Sequence, residues 1–174
     1  RLGAAAQLVK RTTIHRFCVD LLREFGNRVG VPVGFGIADE VYQLATMWRL
    51  EANPRKHKSL LTAFALFRLR GDDLTGAYAR KFEKYGDILK AHNLLDFDQL
   101  LVKAAELLQH IPDVADTVRG RYQAILVDEF QDLSRVQYAI VRALASTHKN
   151  VFAVGDFDQS IYGWAGADTK VFND

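Results

Sequence analysis

Two short apolar runs in the last third of the chain end in acidic residues. Ala124-Ile125-Leu126-Val127 is followed by Asp128-Glu129, and Val151-Phe152-Ala153-Val154 is followed by Gly155-Asp156. A carboxylate fixed at a rigid strand tip can hold Mg²⁺ directly or through water, and an adjacent Glu can polarise an attacking water. That is the chemistry of nucleotide hydrolysis. An acidic pair at a strand end is often only solvated, but a second acidic loop on a neighbouring strand favours the chemical reading. Gln159, further along the second loop, is neutral and able to hydrogen-bond both a phosphate oxygen and a water, as a sensor of nucleotide state must. Trp164, set between Gly163 and Gly166, has no helical or strand face to occupy. It is either a buried anchor for its loop or a platform on which a nucleic-acid base stacks. The carboxylates Asp128, Glu129, Asp156 and Asp158 also permit a third chemistry, that of a metal-dependent nuclease.

These groups need a scaffold, and the pattern of apolar residues supplies one. The two runs, rich in β-branched residues and separated by a helical stripe of Val136, Ala139, Ile140, Ala143 and Leu144, read as a βαβ unit. Its parallel strands should be buried on both faces, with the acidic loops at their carboxyl ends, where open α/β sheets bind ligands. Upstream the period is helical. Ile14, Phe17, Cys18, Leu21, Leu22 and Phe25 form one stripe, with Thr13 as N-cap and Gly26 as its stop. Residues 30–36 read as a Gly-rich loop. A second helix is capped by Asp39 and ended by Asn53-Pro54, and a third runs from Ser59 to Arg70 before Gly71. Tyr78, Phe82, Tyr85 and Leu89 mark a fourth, whose other face carries Arg80, Lys81, Lys84 and Lys90. Asp96 caps a fifth that Pro112 closes. Phe64, Phe67, Tyr78 and Phe82 read as packing residues. His57, His92, His110 and His148 lack metal-ligand spacing and read as surface or cap residues.

The chain has 174 residues, 49% of them apolar and 25% charged, which is the composition of an ordinary folded domain. Its net charge of +2 conceals an asymmetry: 6 basic against 2 acidic residues over 1–30, 10 against 5 over 49–90, and 5 against 7 over 121–174. A basic front and an acidic rear suit a polyanion surface beside a carboxylate site. The single cysteine, Cys18, forms no internal bridge and reads as a buried, inert thiol. There is no charged-then-apolar leader and no apolar run of about 18 residues, so the expectation is a cytoplasmic protein with no membrane partner.

Asp128-Glu129-Phe130-Gln131-Asp132, followed by Gly155-Asp156-Phe157-Asp158-Gln159-Ser160-Ile161-Tyr162-Gly163-Trp164, resembles the second and third signature motifs of UvrD/Rep-type superfamily 1 DNA helicases. Thr13-Ile14-His15 resembles the family's Thr-Phe-His segment, and Leu95-Asp96-Phe97-Asp98 its Leu-Asp-Phe-Asp segment. The order of the four is also the family's. The resemblance implies an α/β fold, a partial RecA-like parallel sheet of the P-loop NTPase type carrying a mainly α-helical insertion. Residues 1–29 and 91–174 would belong to the first RecA-like ATPase domain, and residues 30–90 would be the DNA-contacting insertion. It implies that Asp128 coordinates Mg²⁺, that Glu129 activates water for ATP hydrolysis and that Gln159 senses the γ-phosphate. Trp164 would stack on single-stranded DNA with Tyr162 supporting its loop, and Thr13 and His15 would lie along the same strand. ATP, Mg²⁺ and single-stranded or forked DNA are the expected ligands, with movement 3′ to 5′. The chain departs from the family at Ala165, where Arg is common, and at Ile14, where Phe is usual.

None of the 12 glycines is followed by Lys, so no Gly-Lys-Thr or Gly-Lys-Ser phosphate loop lies in this sequence. With that and the initial Arg1, the expectation is an internal piece of a longer helicase, with the P-loop strand upstream, the second motor domain downstream, and no activity of its own. The alternative is a non-catalytic DNA-binding or interaction module.

Overall fold

Helices, several of them headed by side-chain caps, are interspersed with very short strands. The computed structural model describes residues 9–156 and residue 158. Helix α1 (Ile14–Phe25) runs into a 3-10 turn (Gly26–Val29), followed by strand β1 (Gly36–Ile37), α2 (Glu40–Leu50), a 3-10 turn (Pro54–Lys56) and α3 (His57–Arg70). Then come α4 (Gly76–Ala91), β2 (Leu94–Leu95), α5 (Phe97–His110), α6 (Pro112–Arg119), β3 (Ile125–Val127), a 3-10 turn (Phe130–Asp132), α7 (Arg135–Ala145) and β4 (Val151–Ala153). The result is a mostly helical α/β chain with two small parallel sheets, β1 with β2 and β3 with β4.

Local chemistry explains where the helices begin. Thr13 Oγ1 accepts from the backbone N–H of Arg16, and Asp39 Oδ1 from that of Tyr42. Asp96 and Ser134 each head a reciprocal capping box, with Gln99 and Gln137 as the returning side chains. α3 ends at Gly71, whose φ of +77° suits a residue without Cβ.

The helices enclose two apolar clusters. In the first, α5 buries Leu100, Leu101, Ala104, Leu107 and Leu108 against Cys18, Leu21 and Leu22 of α1, Val114 and Val118 of α6, and Ile140 and Leu144 of α7. The second gathers Met47 of α2, Leu60 and Phe64 of α3, and Tyr85 and Leu89 of α4, with Ala38. Burial pushes the Cys18 thiol up to about 12, so the inert reading of that residue holds. Among the described residues no helix is long and apolar enough to cross a membrane.

The structure corrects four details of the sequence reading. Pro112 does more than close α5: it opens α6 at the first helical position, where its missing N–H costs nothing and its fixed φ is already helical. Gly36, at the end of the expected loop, pairs in parallel with Leu94, and a Cβ there would stand 2.7 Å from Leu94 Cδ2. His57 is buried rather than superficial; Nε2 lies 2.7 Å from the Glu51 carbonyl and the ring meets Trp48 edge-on. His92 does cap α4, with Nδ1 2.8 Å from the Ile88 carbonyl. Finally, β3 and β4 are not buried on both faces. Leu126 and Phe152 are partners in register and therefore share a face, and they are 74% and 64% exposed. Ile125, on the opposite face, packs against the first cluster.

Candidate functional site

Strand β3 delivers its two carboxylates beside the end of β4. Val127 is in register with Ala153; beyond them, Val154 N–H donates to the Val127 carbonyl and Phe130 N–H donates to the Val154 carbonyl, both at 2.9 Å. Asp128 is exposed at the tip, and its Oδ1 accepts from Glu129 N–H at 3.0 Å. Glu129 adopts φ 51° and ψ 45°, a left-handed conformation that costs a non-glycine residue about 1 to 2 kcal/mol. Such strain persists where surrounding bonds over-determine it, as the Phe130 to Val154 bond does here. The left-handed residue turns the chain out of the strand and into the 3-10 turn that carries Gln131.

Gln131 is buried, although sequence reasoning assigned it no separate role. Its Nε2 donates to Glu129 Oε2 at 2.6 Å, and its Oε1 accepts from Asp156 N–H at 3.0 Å. Gly155 fits over this amide: a Cβ there would meet Gln131 Oε1 at 2.5 Å and the Phe130 and Gln131 backbone nitrogens at 3.1 to 3.2 Å. The signal that could have found this contact is the glycine itself, since Gly at the end of a strand marks a close approach of another chain segment. Asp158 N–H donates to Asp156 Oδ1, which folds the second loop on itself. Asp132 is held above the ordinary carboxylate range by desolvation and by the nearby Glu129 charge.

The remaining candidates lie elsewhere or beyond view. Thr13 and His15 stand at the start of α1, with Thr13 exposed. The His15 ring meets Phe97 edge-on at 5.7 Å, and burial holds its pKa below the usual histidine value. Among the described residues no hydrogen bond, ion pair or ring contact joins either to Asp128 or Glu129. Gln159, Tyr162, Trp164 and Ala165 lie outside the described residues. No group of three or more His, Cys, Asp or Glu able to hold a metal ion occurs among those described.

The architecture agrees with a comparison of the whole sequence. The family model for the UvrD/REP helicase N-terminal domain matches residues 2–174. The chain belongs to the UvrD/REP helicase family. It is 33% identical to the ATP-dependent DNA helicase PcrA of Staphylococcus aureus strain Mu50, over 97% of this chain and 26% of that protein. The corresponding protein of Staphylococcus epidermidis is 30% identical over the same shares. The chain thus spans about a quarter of the length of the curated relatives it matches. Within this UvrD/REP chain, Leu95-Asp96-Phe97-Asp98 does more than cap α5. Asp96 also pairs with Arg68 of α3 at 2.6 Å, with both side chains almost wholly enclosed.

Proposed function

We propose that this UvrD/REP chain is the part of an ATP-dependent DNA helicase that holds the water-activating carboxylate and part of the DNA track. The parent couples ATP hydrolysis to 3′ to 5′ movement on single-stranded DNA. The observation that carries the reading is the joint placement of Asp128-Glu129 and Gly155-Asp156 at the laced carboxyl ends of β3 and β4. Glu129 is the general base. Its exposed carboxylate has one oxygen held by Gln131, which leaves the other to accept a proton from an attacking water.

Asp128 fits the Mg²⁺ role. That ion keeps several waters and takes only one or two protein carboxylates besides substrate phosphates, and Asp128 is exposed with only Oδ1 engaged by the protein among the described residues. Mg²⁺ bound there supplies charge neutralisation on the phosphates. Gln159 serves as γ-phosphate sensor, and Trp164, Tyr162, Thr13 and His15 line the single strand. Residues 1–29 and 91–174 belong to the motor domain, and residues 30–90 form the insertion.

The decisive experiment is Glu129→Gln in the full-length protein. We expect DNA-stimulated kcat for ATP to fall by about 100-fold or more with nucleotide binding retained. Normal turnover would remove Glu129 from the reaction. Residues 1–174 alone should show no ATP hydrolysis that depends on Asp128, because the chain has no Gly-Lys-Thr or Gly-Lys-Ser sequence.

One observation favours a second reading, a DNA-binding module without catalysis. Within 49–90, Arg68, Arg70 and Lys81 are in ion pairs, while Arg49, Arg55, Lys56, Lys58, Arg80, Lys84 and Lys90 are exposed. A surface of this kind binds forked DNA through phosphates, with affinity that falls steeply with salt. Titration of the isolated chain with forked DNA at low and high salt tests it, and equal affinities at both would dismiss it.

A further inference from the structure

Gln131 joins the two acidic loops, and it uses both ends of its amide to do so. The backbone N–H of Asp156 can only donate, so Oε1 must face it, and Nε2 is thereby committed to the Glu129 carboxylate. The side chain is 2% exposed, whereas Glu129 is exposed. A buried donor therefore fixes one oxygen of an exposed carboxylate. Glu129 Oε1 has no protein partner among the described residues. Gly155 closes the amide in from the other side, where any Cβ would collide with its oxygen.

We propose that Gln131 is the positioning residue of this site: it holds the Glu129 carboxylate with one oxygen presented outward, and it ties that placement to the backbone of the loop following β4. The proposal rests on the reading of Glu129 as general base. An amide suits the task because it donates to a carboxylate without competing for its proton. Any displacement of the loop at Gly155-Asp156 shifts Gln131 and with it the base, so the two loops move as one unit.

The test uses the full-length protein, comparing kcat and KM for ATP of Gln131→Leu, Gln131→Glu and the control Glu129→Gln in DNA-stimulated ATPase. Gln131→Leu should lower kcat about ten- to a hundredfold, as loss of a supporting partner does, with KM for ATP changed by no more than about twofold. Gln131→Glu keeps an acceptor for Asp156 N–H but sets a second carboxylate against Glu129. The two facing carboxylates repel, so Gln131→Glu should lower kcat at least as far as Gln131→Leu, again with KM for ATP changed by no more than about twofold. A residue that served only to fill space would tolerate the near-isosteric Gln131→Glu, with kcat within about twofold of the parent. If Glu129→Gln is inactive while Gln131→Leu stays within about twofold of the parent, the positioning role is overturned and the general base stands. If Glu129→Gln itself retains turnover, the reading of Glu129 fails, and the proposal with it. Should Gln131→Leu not fold, Gln131→Glu decides: a kcat loss of about tenfold or more with KM retained supports the proposal, and kcat within about twofold of the parent overturns it.

Discussion

Arg68 and Asp96 form the most enclosed ion pair among the described residues, with side chains 9% and 3% exposed. The guanidinium also stands over Phe82, 4.7 Å from the ring centroid. Asp96 thus serves twice: Oδ2 accepts from Arg68 while Oδ1 caps α5 through the backbone N–H of Gln99. Asp98, on the first turn of the same helix, bears the consequence. Burial, then the Asp96 charge, raise its carboxyl to about 6, against the opposing pull of Arg68. A carboxyl raised on folding binds its proton more tightly in the native state, so it weakens stability as pH climbs from about 4 to about 6 and holds that penalty above. Asp98→Asn should therefore stabilise the protein by about 3 kcal/mol at pH 7 and by far less near pH 4, measured by urea unfolding at the two pH values. An unchanged difference across that range would show that Asp98 ionises freely.

The helices were readable because their signals are local. Thr13, Asp39 and Asp96 announce their caps within four residues, and the capping box at Ser134 depends only on Gln137 three positions on. Ser134 is nearly inaccessible, so Ser134→Ala leaves the Gln137 N–H without its acceptor and should cost about 1 to 2 kcal/mol in thermal or chemical unfolding. The short strands were less legible. β1 comprises two residues whose only reason to be extended is Leu94-Leu95, on the far side of three helices. Helix α6 was hidden by reading Pro112 as a stop, since a proline at the first helical position and one past the last look alike until the next turn is seen to bury Val114, Ala115 and Val118.

Taken together, the two apolar clusters meet along α3 and β2. Leu60 and Phe64 of α3 belong to the second cluster, whereas Leu69, one or two turns later, belongs to the first; Leu94 faces the second and Leu95 the first. Leu60→Ala should cost about 2 to 5 kcal/mol. In hydrogen exchange its effect should fall chiefly on the amides of α2, α3 and α4, with α1 and α7 largely retaining protection. Equal loss in both sets would mean that the two clusters open as one.

Residue types and their order were enough to establish the family, the βαβ unit of β3, α7 and β4, and the two acidic loops at strand ends. These are properties of neighbours in the chain: periodicity, caps, and a carboxylate pair directly after an apolar run. Tertiary structure alone decided that Gln131 lies buried between Glu129 and Asp156, that Gly155 must lack a side chain, that Asp96 answers Arg68, and that Leu126 and Phe152 share an uncovered face. Each depends on groups from separate segments meeting at hydrogen-bond or van der Waals distance. No local propensity encodes that meeting, because the energy that selects it comes from packing the intervening helices.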